Sequence, residues 1–339
     1  MQAAQIQAPG EVQIVEVARP EPGPGEVLIE VVAAGICGTD IHIYQGEYEA
    51  VYPIIPGHEF SGRVAAVGES VTRFQPGDRV TADPNVPCYR CEACQRAEFN
   101  QCENLTAVGV NGSGAFAEYV IAPEGSTFSI GGLPFSHAAM VEPLACVAWG
   151  LERVQVGVGD SVLVFGAGPM GCLIMQAVRA AGAGRVAITD VTEWRLAVAE
   201  SLGVDAAVPA DEEQAETLNT LAPKGFDIVA DATGIPAVLE RCFEYVRPRG
   251  KVWAFGVCPP DATASFAPYD VFRKDLTVIG SFAVNRTFPQ SLAMLQSGAV
   301  KVEPLISHRL PLERFAEGLA LAESAPDRMK VQIMPGKSA

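Results

Sequence analysis

Between Asp160 and Asp190 the chain reads DSVLVFGAGPMGCLIMQAVRAAGAGRVAITD. Ser161 to Phe165 is a short β-branched, apolar run, the pattern of a strand buried on both faces of a parallel sheet. Gly166, Gly168 and Gly171 follow as G-x-G-x-x-G. Met170 to Ala181 has helical character and stops at Gly182, Arg185 to Thr189 is a second strand, and Asp190 closes it. A strand, glycine turn, helix, strand and acid in this order leave few folds open. The first glycine permits the tight turn, the second lets a pyrophosphate approach the backbone, and the third lets helix and strand pack closely. Pro169 and Met170 are candidate cofactor-binding residues at the turn before and at the start of that helix, whose free N–H groups face the phosphates. Asp190 lies 19 residues after Gly171, the place of a ribose hydroxyl acceptor. Its charge repels a 2′-phosphate, so NAD is expected rather than NADP; Arg195, close by, is the opposing feature. More α/β units follow: a strand from Phe226 to Ala230 ending in DATG, a helix from Pro236 to Val246, a strand from Lys251, and another from Asp275. The expectation is an open, mostly parallel sheet of the doubly wound α/β class.

At 339 residues the chain exceeds what one core usually spans, so two domains are expected. About half of the residues are hydrophobic and 19% are charged, which suits a folded chain with a large interior rather than a disordered one. No apolar run approaches the ~20 residues that span a bilayer. The N-terminus lacks the basic start and apolar block of a signal peptide, and a cytoplasmic location is the expectation. A net charge of −16 argues against nucleic acid and anionic membranes as partners, because both require a basic patch. Nine cysteines make an odd count, and without an export signal they point to metal rather than disulfides.

Four of those thiols crowd into PCYRCEACQRAEFNQCE, from Pro87 to Glu103. Cys88, Cys91, Cys94 and Cys102 have the spacing C-x2-C-x2-C-x7-C, which lets one loop turn four sulfurs toward a tetrahedral zinc. Four thiolates leave no open position, so this zinc would be structural and would fasten a loop with little core of its own. A zinc ribbon for DNA is disfavoured by the acidic charge and by the lack of a flanking Lys or Arg cluster.

A second set of candidate ligands is dispersed. GICGTDIHIYQGEY carries Cys37, Thr39 and His42; PGHEFSG carries His58 and Glu59; MVEPLA carries Glu142. Singly, each has a bland reading: a small core thiol, a hydrogen-bonded imidazole, an acid that ends a segment before proline. Together, Cys, His and carboxylate make a three-ligand zinc set with one position open. Open zinc is a Lewis acid, and its pull on an alcohol oxygen favours loss of a hydride from the carbon. Thr39 and His42, close to Cys37, can carry the released proton outward.

These pieces in this order resemble the zinc-containing medium-chain dehydrogenases, over essentially the full length. The residues that carry the resemblance are GICGTD, PGHEFSG, the four-cysteine loop, EPLA, and GAGPMG with its trailing Asp190. It implies a β-rich GroES-like catalytic domain over 1–145, with a structural zinc lobe at about 84–105. A Rossmann domain is implied over 146–281, with a return to the catalytic domain over 282–339 and an active site between the domains. It implies Cys37, His58 and Glu142 as ligands of a catalytic zinc, Glu59 as a carboxylate binding it directly or through water, and Thr39 and His42 as a proton relay. Glutamate in E-P-L is similar to sorbitol and other polyol dehydrogenases, as is the tail KVEPLISHRLPLERF. One departure stands out. Where sorbitol dehydrogenases carry FRYxNT, this chain has FAVNRT from Phe282 to Thr287; their substrate-binding Arg aligns with Ala283, and Asn285 or Arg286 is the candidate replacement. The implied activity is NAD-dependent oxidation of a polyol to a ketose. Threonine, butanediol and sugar dehydrogenases are the alternatives within the family. A non-catalytic NAD-binding protein is the alternative outside it, and the intact Cys/His/Glu set speaks against that. A homodimer or homotetramer is also implied, through strands between Lys251 and Phe282.

Overall fold

The computed structural model describes residues 1–47 and 50–336. The chain divides into two compact units. The first is Met1–Ala145, Val284–Gln296 and Val302 onward; the second is Cys146–Ala283 with Ser297–Lys301.

The second unit is built on a six-stranded, wholly parallel sheet. Its order in space is Ala206–Pro209, Arg185–Asp190, Ser161–Phe165, Phe226–Asp231, Val246–Ala254 and Thr277–Gly280. Chain order therefore reverses direction between Ser161–Phe165 and Phe226–Asp231, which makes the carboxyl ends of those strands the switch point of a doubly wound sheet. The central strands read as nearly continuous apolar runs because helices cover both faces. Leu163, Phe165, Ala187, Phe226, Val229 and Val252 are all buried in the core beneath them. The helix after the glycine turn spans Pro169–Ala180 with proline at its start, where the missing N–H has no intrahelical partner to lose. Gly182, with φ +116, then turns the chain toward the next strand.

The first unit centres on a seven-stranded sheet. Ile306–Pro311, Lys330–Met334, Glu26–Gly35, Glu59–Val67, Arg79–Ala82 and Thr127–Ser129 lie in that order, and Tyr119–Pro123 also pairs with Glu26–Gly35. Only the first two strands are parallel. Alternate residues of the central strands fill one core with Phe60, Phe116 and Phe315, and the rings of Phe116 and Phe315 sit 4.6 Å apart. The strand register pairs Gly35 with Glu59 on one side and with Gln332 on the other. The last strand of the chain thus reaches the strand ends that carry Cys37 and His58.

The tail does not return to the first unit without interruption, as a single segment over 282–339 would. Residues 282–283 and 297–301 belong to the second unit. There the Gln176 side chain accepts the Lys301 N–H at 2.8 Å and donates to the Lys301 carbonyl at 3.1 Å, fastening residues 297–301 to the helix after the glycine turn. Among the described residues no helix is long and apolar enough to cross a membrane.

Candidate functional site

The glycine turn of the second unit has the form of a cradle. Gly166 has φ +98, a backbone state that side chains other than glycine rarely adopt. At Gly171 an added Cβ would lie 1.7 Å from the Gly166 carbonyl oxygen, so only glycine lets the helix start this close to the strand. Gly168 differs. It is the N-cap of the helix, and a Cβ there would meet nothing within 4 Å. The protein leaves that space to whatever approaches the helix N-terminus, which fits a dinucleotide pyrophosphate. Asp190 sits at the end of the neighbouring strand. Its Oδ2 accepts the Ala167 N–H at 2.8 Å and its Oδ1 the Thr192 N–H at 2.9 Å, so the carboxylate is fixed against the turn. Arg195 Nη1 is 4.0 Å from Asp190 Oδ2.

Backbone geometry brings Cys37, His58 and Glu59 of the first unit together, whereas Glu142 lies outside that close group and is coupled to it through its charge. Cys37 is the N-cap of the helix Gly38–Gln45, and Asp40 at its third position closes a capping box. The Asp40 Oδ2 accepts the Cys37 N–H at 2.8 Å, and its Oδ1 accepts the Gly57 N–H at 3.2 Å. The same Oδ1 lies 3.7 Å from His58 Nδ1. One fully buried carboxylate therefore pins together the two loops that carry Cys37 and His58. A sulfur of Cys37, a ring nitrogen of His58 and a carboxylate oxygen of Glu59 all lie within 4.8 Å of one another. Glu142 is buried in the first turn of the helix Val141–Val154. It opens that helix rather than ending a segment, because Pro143 is tolerated in a first turn.

The electrostatics are those of a cation site. Burial pushes the Glu142 carboxyl up to about 7, with His58 and Lys330 working against that and Glu59 and Asp83 reinforcing it. Burial disfavours the charged His58 ring, but Asp40 and Cys37 outweigh it and raise its pKa. Burial also disfavours the Lys330 ammonium, but Glu59 and Cys37 outweigh it and hold Lys330 charged. Two polar atoms in the cluster, Glu59 Oε2 and His58 Nδ1, are buried without a hydrogen-bond partner. Buried acceptors gathered in excess of protein cations, in a mixed sulfur, nitrogen and oxygen set, fit zinc. Thr39 Oγ1 lies 3.8 Å from Cys37 Sγ. His42, one turn further along the same helix face, has a side chain 44% exposed, and its Nδ1 is 2.7 Å from Glu47 Oε2.

Cys88, Cys91, Cys94 and Cys102 also converge, with all four sulfurs within 4.8 Å of one another. Backbone N–H groups of Arg90 and Cys91 lower the Cys88 thiol to about 6, while burial and the neighbouring thiols push Cys94 up to about 12. All nine cysteines are free thiols. The set fits a closed, four-thiolate zinc. Asn285 clasps this lobe: its Oδ1 accepts the Phe99 N–H and its Nδ2 donates to the Ala97 carbonyl, both at 3.1 Å. Arg286 lies over the Phe99 ring, 5.2 Å from its centre. Asn285 therefore has a fastening role, which removes it as the replacement for the arginine that aligns with Ala283.

Asp40 and Lys330 are the residues of this centre that motif reading misses. The signal for Asp40 is its place three residues after Cys37 ahead of a helical run, a capping-box position. Lys330 carries no such signal, because Lys330 and Gln332 alternate with Val331 and Ile333 as the polar face of an exposed strand would.

Comparison with known proteins agrees with this geometry. The alcohol dehydrogenase GroES-like domain model matches residues 23–132 and the zinc-binding dehydrogenase model matches residues 169–297. The chain is 40% identical to D-altritol 5-dehydrogenase of Agrobacterium fabrum, over 98% of this chain and 99% of that one. It is 33% identical to D-arabinitol dehydrogenase 1 of Uromyces fabae, over 99% and 97% of the two chains. A zinc-binding dehydrogenase from Sinorhizobium meliloti solved with NADP superposes with a TM-score of 0.94 at 32% identity, covering 98% of this chain and 99% of the other. The chain belongs to the zinc-containing medium-chain dehydrogenases, on their polyol dehydrogenase-like side.

Proposed function

We propose that this enzyme oxidises a secondary alcohol of a polyol to the corresponding ketose, with NAD as acceptor. Cys37, His58 and Glu142 hold a catalytic zinc, Glu59 stands beside them, and the four-cysteine lobe holds a second, structural zinc. The observation that carries this reading is the convergence of Cys37 with the buried His58 and Glu59 within 4.8 Å. The relatives named for D-altritol and D-arabinitol support the polyol class.

When bound, zinc supplies Lewis acidity to the alcohol oxygen. Thr39 Oγ1 receives the proton that leaves that oxygen, and His42 delivers it to water, its ring oriented by Glu47. NAD, held by the glycine turn and Asp190, would supply the acceptor for the hydride of the carbinol carbon. The products are ketose, NADH and a proton. The glycine turn holds the pyrophosphate and Asp190 the adenosine ribose, so the cofactor is oriented before the chemistry. Asp190 favours NAD, since a 2′-phosphate would meet a carboxylate already fixed by Ala167 and Thr192.

The test follows nicotinamide reduction by absorbance across polyols, vicinal diols, aldoses and L-threonine, with NAD and with NADP. Turnover of a subset of polyols with NAD is expected. Turnover of threonine or aldoses alone refutes the polyol assignment, and a preference for NADP refutes the role given to Asp190. Cys37→Ala and His58→Ala should each abolish turnover and leave NAD affinity nearly unchanged; activity in both variants refutes the catalytic zinc.

A homodimer or dimer of dimers goes with this reading. The strand Thr277–Gly280 is an edge of the parallel sheet, and Val278, Phe272 and Phe282 nearby are 48%, 79% and 55% exposed. A second copy pairing there would cover both the edge and the apolar side chains. Clustered free thiols suit a reducing cytoplasm.

A further inference from the structure

Lys330 is 6% exposed and Glu59 1%. They are 271 residues apart in sequence, yet Lys330 Nζ donates to Glu59 Oε1 at 2.7 Å. A second Nζ–H goes to the Ile36 carbonyl at 3.1 Å, next to the candidate ligand Cys37. Glu59 Oε2 is buried and has no hydrogen-bond partner. The two carboxylate oxygens are thus treated oppositely, one tied and one left available. Gly35 makes this possible. It lies in the strand between the other two, and a Cβ on it would be 2.1 Å from Glu59 Oε2. Only a residue without a side chain lets the carboxylate lie across that strand.

Stability does not account for the pair. Replacing a buried ion pair with apolar groups is often neutral or favourable, because desolvation offsets the attraction. Its position beside Cys37 and His58 gives it a task. A carboxylate free to swing can close the remaining position of the metal, whereas anchoring through Oε1 restrains that movement. The lysine also balances charge: the thiolate of Cys37 and the carboxylates of Glu59 and Glu142 are matched by a divalent ion and Lys330 together.

We propose that Lys330 is a positioning residue of the metal centre, which tethers one oxygen of Glu59 and so holds this carboxylate beside the three ligands, leaving the substrate position open. The proposal rests on the assignment of Cys37, His58 and Glu142 as ligands. It is tested on the full-length protein loaded with cobalt(II), with the spectrum of Cys37→Ala subtracted to remove the four-cysteine lobe. In Lys330→Met the freed Glu59 should raise the coordination number, weaken the cobalt d–d absorption, and slow metal release to a chelator by about tenfold, the scale on which partners of ligands act. Turnover should fall while NAD affinity holds. Lys330→Arg should restore the parental spectrum. The double variant Glu59→Gln, Lys330→Met should release metal at nearly the parental rate, since the freed carboxylate is gone.

A Lys330→Met protein with parental spectrum and release rate, altered only in melting temperature, overturns the proposal, as does a double variant that keeps the slow release. If Lys330→Met does not fold, Gly35→Ala gives the second test. Its methyl displaces Glu59 Oε2 with the ion pair's charges intact, and an unchanged cobalt spectrum overturns the proposal. If the parent itself shows no cobalt signal beyond that of Cys37→Ala, the ligand assignment fails instead.

Discussion

Gly168→Ala and Gly171→Ala differ by one position in the motif and should fail in opposite ways. At Gly171 the new Cβ lies 1.7 Å from the Gly166 carbonyl oxygen, about half a normal contact distance. The turn and the helix must separate, an overpacking cost of about 1–3 kcal/mol, or roughly 2–10 °C of melting temperature for a unit of this size. At Gly168 φ is −69, which alanine adopts without strain, and nothing lies within 4 Å. The methyl should leave the melting temperature of the cofactor-free protein within about a degree, since surface changes of this kind are usually within ~0.5 kcal/mol. It occupies the approach of the pyrophosphate, however. Loss of charge-assisted hydrogen bonds to backbone N–H groups is worth about 1.5–3 kcal/mol, so NAD should bind about 10- to 100-fold more weakly. The assay pairs thermal melting without cofactor with calorimetric titration of NAD. Parental NAD affinity in Gly168→Ala, or a large melting loss there, would refute the assignment of that empty space to the cofactor.

Three further outcomes are expected. Cys91→Ser should lower the melting temperature and remove about one zinc per chain, measured by metal analysis, while the metal-dependent cobalt signal of Cys37 and His58 remains. Asp227 is held below the ordinary carboxylate range: burial pushes it up, but hydrogen bonds from Ser161 and the Arg247 guanidinium at 2.5 Å outweigh that. Its stabilisation is therefore present above the unfolded carboxylate pKa and lost as pH falls through the folded one. Asp227→Asn should melt earlier than the parent at pH 7, and the difference should vanish in melts below the carboxylate range. Val278→Asp should shift the assembly to a smaller species in light scattering without loss of the fold, and an unchanged mass would dismiss the edge strand as an interface.

The parts of this molecule that sequence reading reaches are those where one local pattern has one physical meaning. The strand Ser161–Phe165, the three glycines and Asp190 succeed one another along the chain, and each constrains the next. The four cysteines are close enough in sequence to imply their own convergence. Cys37, His58 and Glu59, which the structure brings together, are reachable only as members of a set, because none is diagnostic alone. Lys330 is out of reach. Its partner is 271 residues away, and a strand of alternating polar and apolar residues ordinarily turns its polar side outward. Here both faces are covered. Asn285 misleads for a related reason: its neighbourhood in sequence suggests substrate, while its amide is occupied by the backbone of the lobe.

Asp40 has a consequence for the order in which the enzyme is made. Its hydrogen bonds set the spacing of the Cys37 and His58 loops with protein atoms alone, so the cage takes shape as the chain folds. Metal can then enter a finished site late, and chelation should strip activity from a molecule that stays intact and accepts the ion again. The four-cysteine loop is held differently, by Asn285 from another part of the chain, so its sulfurs converge only once that later segment has docked.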